Sequence, residues 1–396
     1  MTPILGLLIG LSALAAWIYL TAGRGRFWRM AERDDRAEPA PPATWPSVAA
    51  VVPARNEADV IAASIGGLLA QDYAGAFRVI LVDDNSEDGT AAVAQGVAQG
   101  AAGSGARLEI LRGAPLEPGW TGKLFAMRQG LARASAADPP PDYILFTDAD
   151  IAHSPDNLTR LVARAEAGGL VLTSLMAELS QRAWFEKLMI PAFVFFFDML
   201  YPFPWAKDPA RREAAAAGGC MLVRREALEA AGGVEAIRGE IIDDCAMGAL
   251  LKRQGPVWLG LTHRARSLRP YDSLGDIGRM ISRSAYAQLG YSPLKLIGTV
   301  LGLALVFLAP PVLALFASGG AAFCGLAAWV LMTLAFQPML RFYGRSPLWG
   351  PLLPLIAALY LTFTFRSALD HWAGRGGMWK GRAQANAGAQ AGAGAA

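Results

Sequence analysis

The sequence predicts an α/β protein, a mostly parallel sheet flanked by helices, joined to transmembrane α-helices. Three observations carry this. Residues 47–269 alternate short apolar runs with stretches of helical period, the pattern of parallel βαβ units. One apolar run near the N-terminus and three beyond Pro293 approach the roughly 20 residues that cross a bilayer. Of the 396 residues 54% are hydrophobic, too many for an ordinary soluble enzyme, so part of the chain must sit in lipid.

Taken in order, residues 1–22 hold the first membrane helix, its apolar run covering 4–20. A cleaved leader would carry its positive charges before the run. Here Arg24, Arg26, Arg29, Arg33 and Arg36 all follow it, which places the N-terminus outside and the following residues in the cytoplasm. Residues 23–46 are basic and then proline-rich, a short stiff linker. In the α/β segment, 47–292, strands are expected at 48–52, 77–82, 108–111, 143–147 and 170–173, with helices at 59–69, 89–99 and 123–136. A helix is expected to begin in the stretch Ile151-Ala152-His153-Ser154-Pro155. Residues 184–205 carry an aromatic run broken by Pro191 and Asp198 and read as an interfacial helix where a lipid acceptor arrives, with a core helix of the α/β segment as the competing reading.

Membrane stretches follow at 296–317, 321–340 and 348–365, within a C-terminal helical segment of 293–366. Counting loop charges puts the C-terminus outside, while Arg366, Arg375, Lys380 and Arg382 argue for inside. A re-entrant last stretch, bearing Pro351 and Pro354, would reconcile the two. The tail, 367–396, is basic and then low in complexity from 383, and so expected to be disordered. A formal net charge of +3 offers no bulk electrostatic case for nucleic acid. Cys220, Cys245 and Cys324 have no metal-ligand spacing and cannot all pair, as befits small buried side chains in a reducing compartment.

The chemistry gathers at strand ends, where α/β sheets bind their ligands. The first strand runs into Pro53-Ala54-Arg55-Asn56-Glu57, the second into Asp83-Asp84-Asn85-Ser86, and the fourth into Asp148-Ala149-Asp150. Two carboxylates one residue apart repel each other unless a divalent cation sits between them and a polyphosphate. A turn followed by a helix cap explains the same acids without any ligand. Lys123 follows Gly119-Trp120-Thr121-Gly122 and opens a helix, a setting in which an ammonium and backbone N–H groups converge on phosphate.

In order and spacing these motifs, with Ile242-Asp243-Asp244, resemble the family 2 glycosyltransferases, whose nucleotide-sugar-binding α/β domain is called GT-A. The resemblance covers 47–292. Through Gly119-Trp120-Thr121-Gly122-Lys123 and Gly218-Gly219-Cys220-Met221-Leu222 it is nearest to the membrane-bound, hopene-associated members of hopanoid lipid biosynthesis. It implies a nucleotide-sugar donor, a uridine one being expected, a lipid acceptor and a divalent cation, Mg2+ or Mn2+. Pro53, Arg55, Glu57, Asp83, Asp84, Lys123 and Asp148 then contact the nucleotide sugar, Asp150 holds the metal, and Asp244 is the base of an inverting transfer. Asp243 is a candidate diphosphate or acceptor contact. Asp243 and Asp244 also fit a helix N-cap and a first-turn acid.

The chain departs from its family at Gln288-Leu289-Gly290-Tyr291-Ser292, which keeps the glutamine of Gln-x-x-Arg-Trp and lacks the other two. Arg279 and Arg283, one helical turn apart, are candidate substitutes, and equally candidate membrane-surface cations. His153 and His263 are weaker candidates for a distant metal ligand. The competing functions are a polyprenyl-phosphate sugar transferase, a nucleotidyltransferase, and a non-catalytic lipid-binding membrane protein.

Overall fold

The computed structural model describes residues 3–100, 107–374, 378–379 and 382–383. Arg375, Lys380 and all but the first residue of the low-complexity stretch lie outside them. The strands are β1 (Val48–Ala54), β2 (Phe77–Asp83), β3 (Leu108–Arg112), β4 (Tyr143–Thr147), β5 (Ile151–His153), β6 (Leu172–Glu178), β7 (Cys220–Arg224) and β8 (Val257–Ser267). The helices up to the second acidic pair are α1 (Pro3–Ile18), α2 (Ile61–Leu69), α3 (Thr90–Gly100), α4 (Gly122–Ser135), α5 (Asn157–Gly168), α6 (Trp184–Leu200), α7 (Phe203–Lys207), α8 (Arg225–Ala230) and α9 (Asp243–Lys252). After them come α10 (Leu274–Gln288), α11 (Pro293–Leu303), α12 (Ala309–Phe316), α13 (Gly319–Phe342) and α14 (Leu353–Trp372). The described residues divide into two compact units: a sheet unit within 32–180 and 206–270, and a helical unit within 3–31, 181–205 and 271–374.

In the sheet unit eight strands lie in the order β3-β2-β1-β4-β7-β6-β8-β5. The β3-β2-β1-β4 half is parallel, as the alternating pattern demands. Beyond it β7 runs antiparallel to both β4 and β6, and β5 antiparallel to β8. Both faces are covered, which is why the strands read as continuous apolar runs. On β1, Val48, Ala50 and Val52 face one core with Ile61, Ile65 and Leu161, while Ala49 and Val51 face the other with Leu124, Phe125 and Met247. Gly130 of α4 is small by necessity: a Cβ there would stand 2.3 Å from Val51.

Two local readings change. Residues 151–153 form β5 and not a helix start, because the edge of β8 offers Ile151 and His153 partners at Ser267 and Ala265, and the helix begins only at Asn157. The linker is free only in part. Leu261 N–H donates to the carbonyl of Glu32 and Asp34 N–H to that of Leu261, so this segment extends β8 sideways. Buried Asp34 accepts from Arg264 Nη1 at 3.0 Å, and Glu32 accepts from Trp258 Nε1 at 2.6 Å.

The helical unit contains four helices long and apolar enough to cross a membrane: Pro3–Gly23, Pro293–Phe316, Gly319–Phe342 and Pro347–Trp372. Trp17 is buried and donates to the carbonyl of Val306 at 2.8 Å. Helix α6 runs unbroken through Pro191, with Phe195 packed on Phe27 and Phe336, and Phe196 on Phe307 and Tyr360. The aromatic run expected against a lipid surface thus packs, over these rings, among helices of its own unit.

Candidate functional site

The carboxyl ends of β1, β2 and β4 carry the three acidic clusters. The first two interlock. Asp84 N–H donates to the carbonyl of Ala54, Asn56 N–H to Ser86 Oγ at 3.0 Å, and Glu57 N–H to Thr90 Oγ1 at 2.9 Å. Asn56 and Asn85 sit at φ of 51° and 52°, the left-handed region that asparagine tolerates. Arg55 Nη1 donates to the carbonyl of Asp84 at 2.5 Å and lies 3.8 Å from its carboxylate. One oxygen of Asp83 accepts from Ser86 N–H, three residues on, at 3.0 Å, a local side-chain bond that shapes the loop. Pro53 is a buried residue of β1, paired with Val82.

The second gathering centres on Lys123. Thr121 caps α4, and Lys123 projects from that helix's first turn. Its Nζ lies 2.8 Å from Asp148 Oδ1 at the end of β4 and 3.0 Å from Asp243 Oδ2 at the start of α9. Asp244 stands beside it, accepting from Gly218 N–H at 3.1 Å and from Cys245 N–H at 2.7 Å. A Cβ on Gly218 would stand 3.0 Å from Lys123 Nζ and 3.7 Å from Asp244 Oδ2, so a larger residue here would press on the lysine. Two distant segments thus bring three carboxylates to one ammonium.

The charges respond accordingly. Burial opposes the charge of Lys123, but Asp148, Asp243 and Asp244 outweigh it and hold the lysine pKa above its usual value. Burial, joined by the charge of Asp243 and resisted by Lys123, pushes the Asp244 carboxyl up to about 6. Asp148 is also raised, by burial and by Asp150, against the pull of Lys123. Two raised carboxyls, at the end of β4 and the start of α9, mark this edge of the sheet as a candidate for acid-base chemistry.

Asp150 stands where β8 ends: its Oδ2 accepts from Ser267 Oγ at 3.2 Å, and its carbonyl accepts from Leu268 N–H at 2.8 Å. Among the described residues no group of three or more His, Cys, Asp and Glu is placed to hold an ion. His153 is buried between Thr147 Oγ1 at 2.9 Å and Asn157 Nδ2 at 2.8 Å, and burial drives its pKa down to about 4, so it is a neutral strut. His263 pairs with Glu178 at 2.9 Å, four positions before Ser267 on the same strand. The donor set that remains, Asp150 with its neighbouring hydroxyl and Asp148 close by, is made of hard oxygens. It fits a cation of the Mg2+ or Mn2+ kind bound through one or two carboxylates and completed by substrate phosphates.

Of the residues singled out by sequence, the sheet unit brings together Lys123, Asp148, Asp243 and Asp244, and separately Arg55, Glu57, Asp83 and Asp84. Arg279, Arg283 and Gln288 belong to α10 of the helical unit, where Arg279 pairs with Asp276. Ser267 and Arg269 escaped sequence reasoning. Gly218-Gly219 was visible as a motif, but its N–H contact with Asp244 depends on a tertiary approach.

An eight-stranded mixed sheet with acids at its carboxyl edge defines the α/β nucleotide-sugar-binding class called GT-A. The comparisons agree. Residues 49–232 match the family model described as Glycosyl transferase family 2. An N-acetylglucosaminyltransferase of Mesorhizobium japonicum is 30% identical over 195 residues, 46% of this chain and 41% of that protein. One of Rhizobium leguminosarum bv. viciae is 29% identical over 194 residues, 46% of this chain and 40% of that protein. The chain thus spans about two fifths of the length of these relatives. The mannosyltransferase PcManGT from Pyrobaculum calidifontis, solved with GDP-Man and Mn2+, shares the fold at a TM-score of 0.54 and 19% identity, over 92% of this chain and 99% of that one. Residues 49–232 therefore form a glycosyltransferase domain similar to those of family 2, with the GT-A fold, and the chain also holds four candidate membrane helices.

Proposed function

We propose that this protein transfers a sugar, with inversion and with a divalent metal, from a nucleotide-diphospho-sugar to the hydroxyl of a membrane lipid, at the cytoplasmic face of a bacterial inner membrane. The observation that carries it is the cluster of Asp148, Asp243 and Asp244 around Lys123, with Asp150 two positions after the first of these acids. The acceptor oxygen attacks the anomeric carbon, its proton passes to Asp244, and the bond from that carbon to the diphosphate oxygen breaks. The raised Asp244 pKa suits a base that must take up a proton near neutrality. Glu57 and Asp84 are assigned to the base and ribose. Asp148 is assigned to the nucleotide sugar, and Asp150 would hold the metal, which when bound neutralises the departing diphosphate.

Four candidate membrane helices support a lipid acceptor, and the resemblance in Gly119-Trp120-Thr121-Gly122-Lys123 supports a hopanoid-type one. A uridine nucleotide is the expected carrier. N-acetylglucosamine, the sugar in the names of the rhizobial relatives, is the first donor to try.

The test is a binding and turnover screen of the detergent-solubilised chain against UDP-N-acetylglucosamine, UDP-glucose and GDP-mannose, with and without Mn2+. Metal-dependent binding of one donor, abolished in Asp150→Ala, is the expected outcome. Folded protein that binds none of them would overturn the reading.

A further inference from the structure

Beyond the acids lies a cation that the scheme above leaves idle. Arg269 follows β8 by two residues, immediately after Leu268, whose N–H holds the carbonyl of Asp150. Its guanidinium reaches back to the carboxylate of Glu57 and lies 3.4 Å from Asp59. Burial opposes its charge, but Glu57, Asp59 and Asp150 together raise its pKa above the usual arginine value. Arg269 therefore pairs with the acid assigned to the nucleoside and lies within electrostatic reach of the acid assigned to the metal.

We propose that Arg269 contacts the diphosphate of the donor, an inference that rests on the nucleotide-sugar reading above. A nucleotide laid from Glu57 and Asp84 toward Asp150 must carry its phosphates past this side chain, which is 37% exposed. A guanidinium offers planar paired donors suited to phosphate oxygens. The neighbouring cations are engaged: Lys123 sits among three carboxylates, and Arg55 donates to the carbonyls of Asp84 and Asn85. Arg269 has one partner it can exchange at little cost. Asp59 is 63% exposed at 3.4 Å, and a pair that open to water contributes little. In this scheme Glu57 keeps the guanidinium aimed while the phosphate displaces Asp59.

The test uses the full chain in detergent with Mn2+, and competition by UDP and by uridine, with GDP and guanosine in parallel. Arg269→Met is expected to weaken the binding nucleoside diphosphate by ~10-fold or more, the size of a charge-assisted contact, and its bare nucleoside by less than about 2-fold. Arg269→Lys should fall between, since it keeps the charge and loses the fork. Asp59→Asn should tighten the diphosphate by about 2- to 5-fold, as expected when a weak competing ion pair is removed, and the gain should vanish when combined with Arg269→Met. Equal loss for diphosphate and nucleoside, or a gain from Asp59→Asn that persists without the arginine, would show a merely structural side chain and overturn the inference while leaving the donor reading intact. Failure of the unmodified protein to bind either diphosphate overturns both.

Discussion

Replacing Lys123 by methionine removes the one positive charge shared by three carboxylates and keeps the chain length. At an effective dielectric of about 20, contacts of 2.8 and 3.0 Å are each attractive by roughly 5–6 kcal/mol before the cost of leaving water. Deleting one partner of a buried pair costs about 3–5 kcal/mol. The low end applies here, since the Asp148 side chain is 35% exposed and one acid of the cluster can take up a proton. We expect a loss of about 3 kcal/mol at pH 8, or ~6–12 °C in the unfolding midpoint of a domain of about 150–250 residues. The loss should depend on pH. Without the lysine the acids hold protons more tightly folded than unfolded, so the native state binds more protons and stability rises as pH falls toward about 4. The deficit against wild type should shrink by half or more between pH 8 and pH 5.5, followed by thermal melts of the detergent-solubilised chain. Mn2+ should also raise the midpoint of the variant more than that of wild type, because the vacated carboxylates become a better cation site. A deficit equal at both pH values, or none at either, would refute the account of Lys123 as the counter-ion of the cluster.

Asp244→Asn should keep donor affinity and lose turnover by ~10²–10⁴-fold, the usual contribution of a positioned base. In wild type the active form is the carboxylate, so turnover should rise with pH through the Asp244 pKa of about 6 and level off above it, and this limb should vanish in the asparagine variant. Chelation by EDTA should abolish turnover and Mn2+ or Mg2+ restore it; undiminished turnover in EDTA would remove the metal from the scheme. Gly248→Val should destabilise by about 1–3 kcal/mol and lower turnover, because a Cβ at Gly248 would meet the Ala215 carbonyl carbon at 2.7 Å and push α9 and Asp244 outward. His153→Leu should lower the melting midpoint and leave Mn2+ affinity measured by calorimetry unchanged, as befits a neutral strut.

What the sequence disclosed and what it withheld divide along one physical line. Strand β4 is legible to the residue because its signal is local: a mostly apolar run of five residues, buried on both faces, that stops at Asp148. The four long apolar helices are legible for the same reason, since length against bilayer thickness is a property of the segment alone. Residues 151–153 are not, because a short run beside a proline becomes a strand only when the edge of β8 is there to pair with it. Arginine-rich composition next to a membrane run likewise hides the pairing of Glu32 and Asp34 with Leu261.

The site follows the same rule with a chemical consequence. Each acid pair was visible, because a strand end or helix start followed by two carboxylates is a local pattern. Lys123 was visible too, and its place at a helix start suggested phosphate. What no local pattern contains is that Asp148 and Asp243, 95 positions apart, both reach that ammonium. That juxtaposition changes what the lysine is for. With no cation or diphosphate bound it makes three clustered carboxylates tolerable, and its ion pairs form a physical link between the acid assigned to the donor and the helix that carries the base. A substitution at either end of that link should therefore be felt at the other. Asp148→Asn, which leaves Asp244 untouched, should shift the acid limb of the turnover profile downward, because removing that carboxylate leaves Lys123 to Asp243 and Asp244. An unmoved limb would mean that the two halves of the site are electrostatically independent.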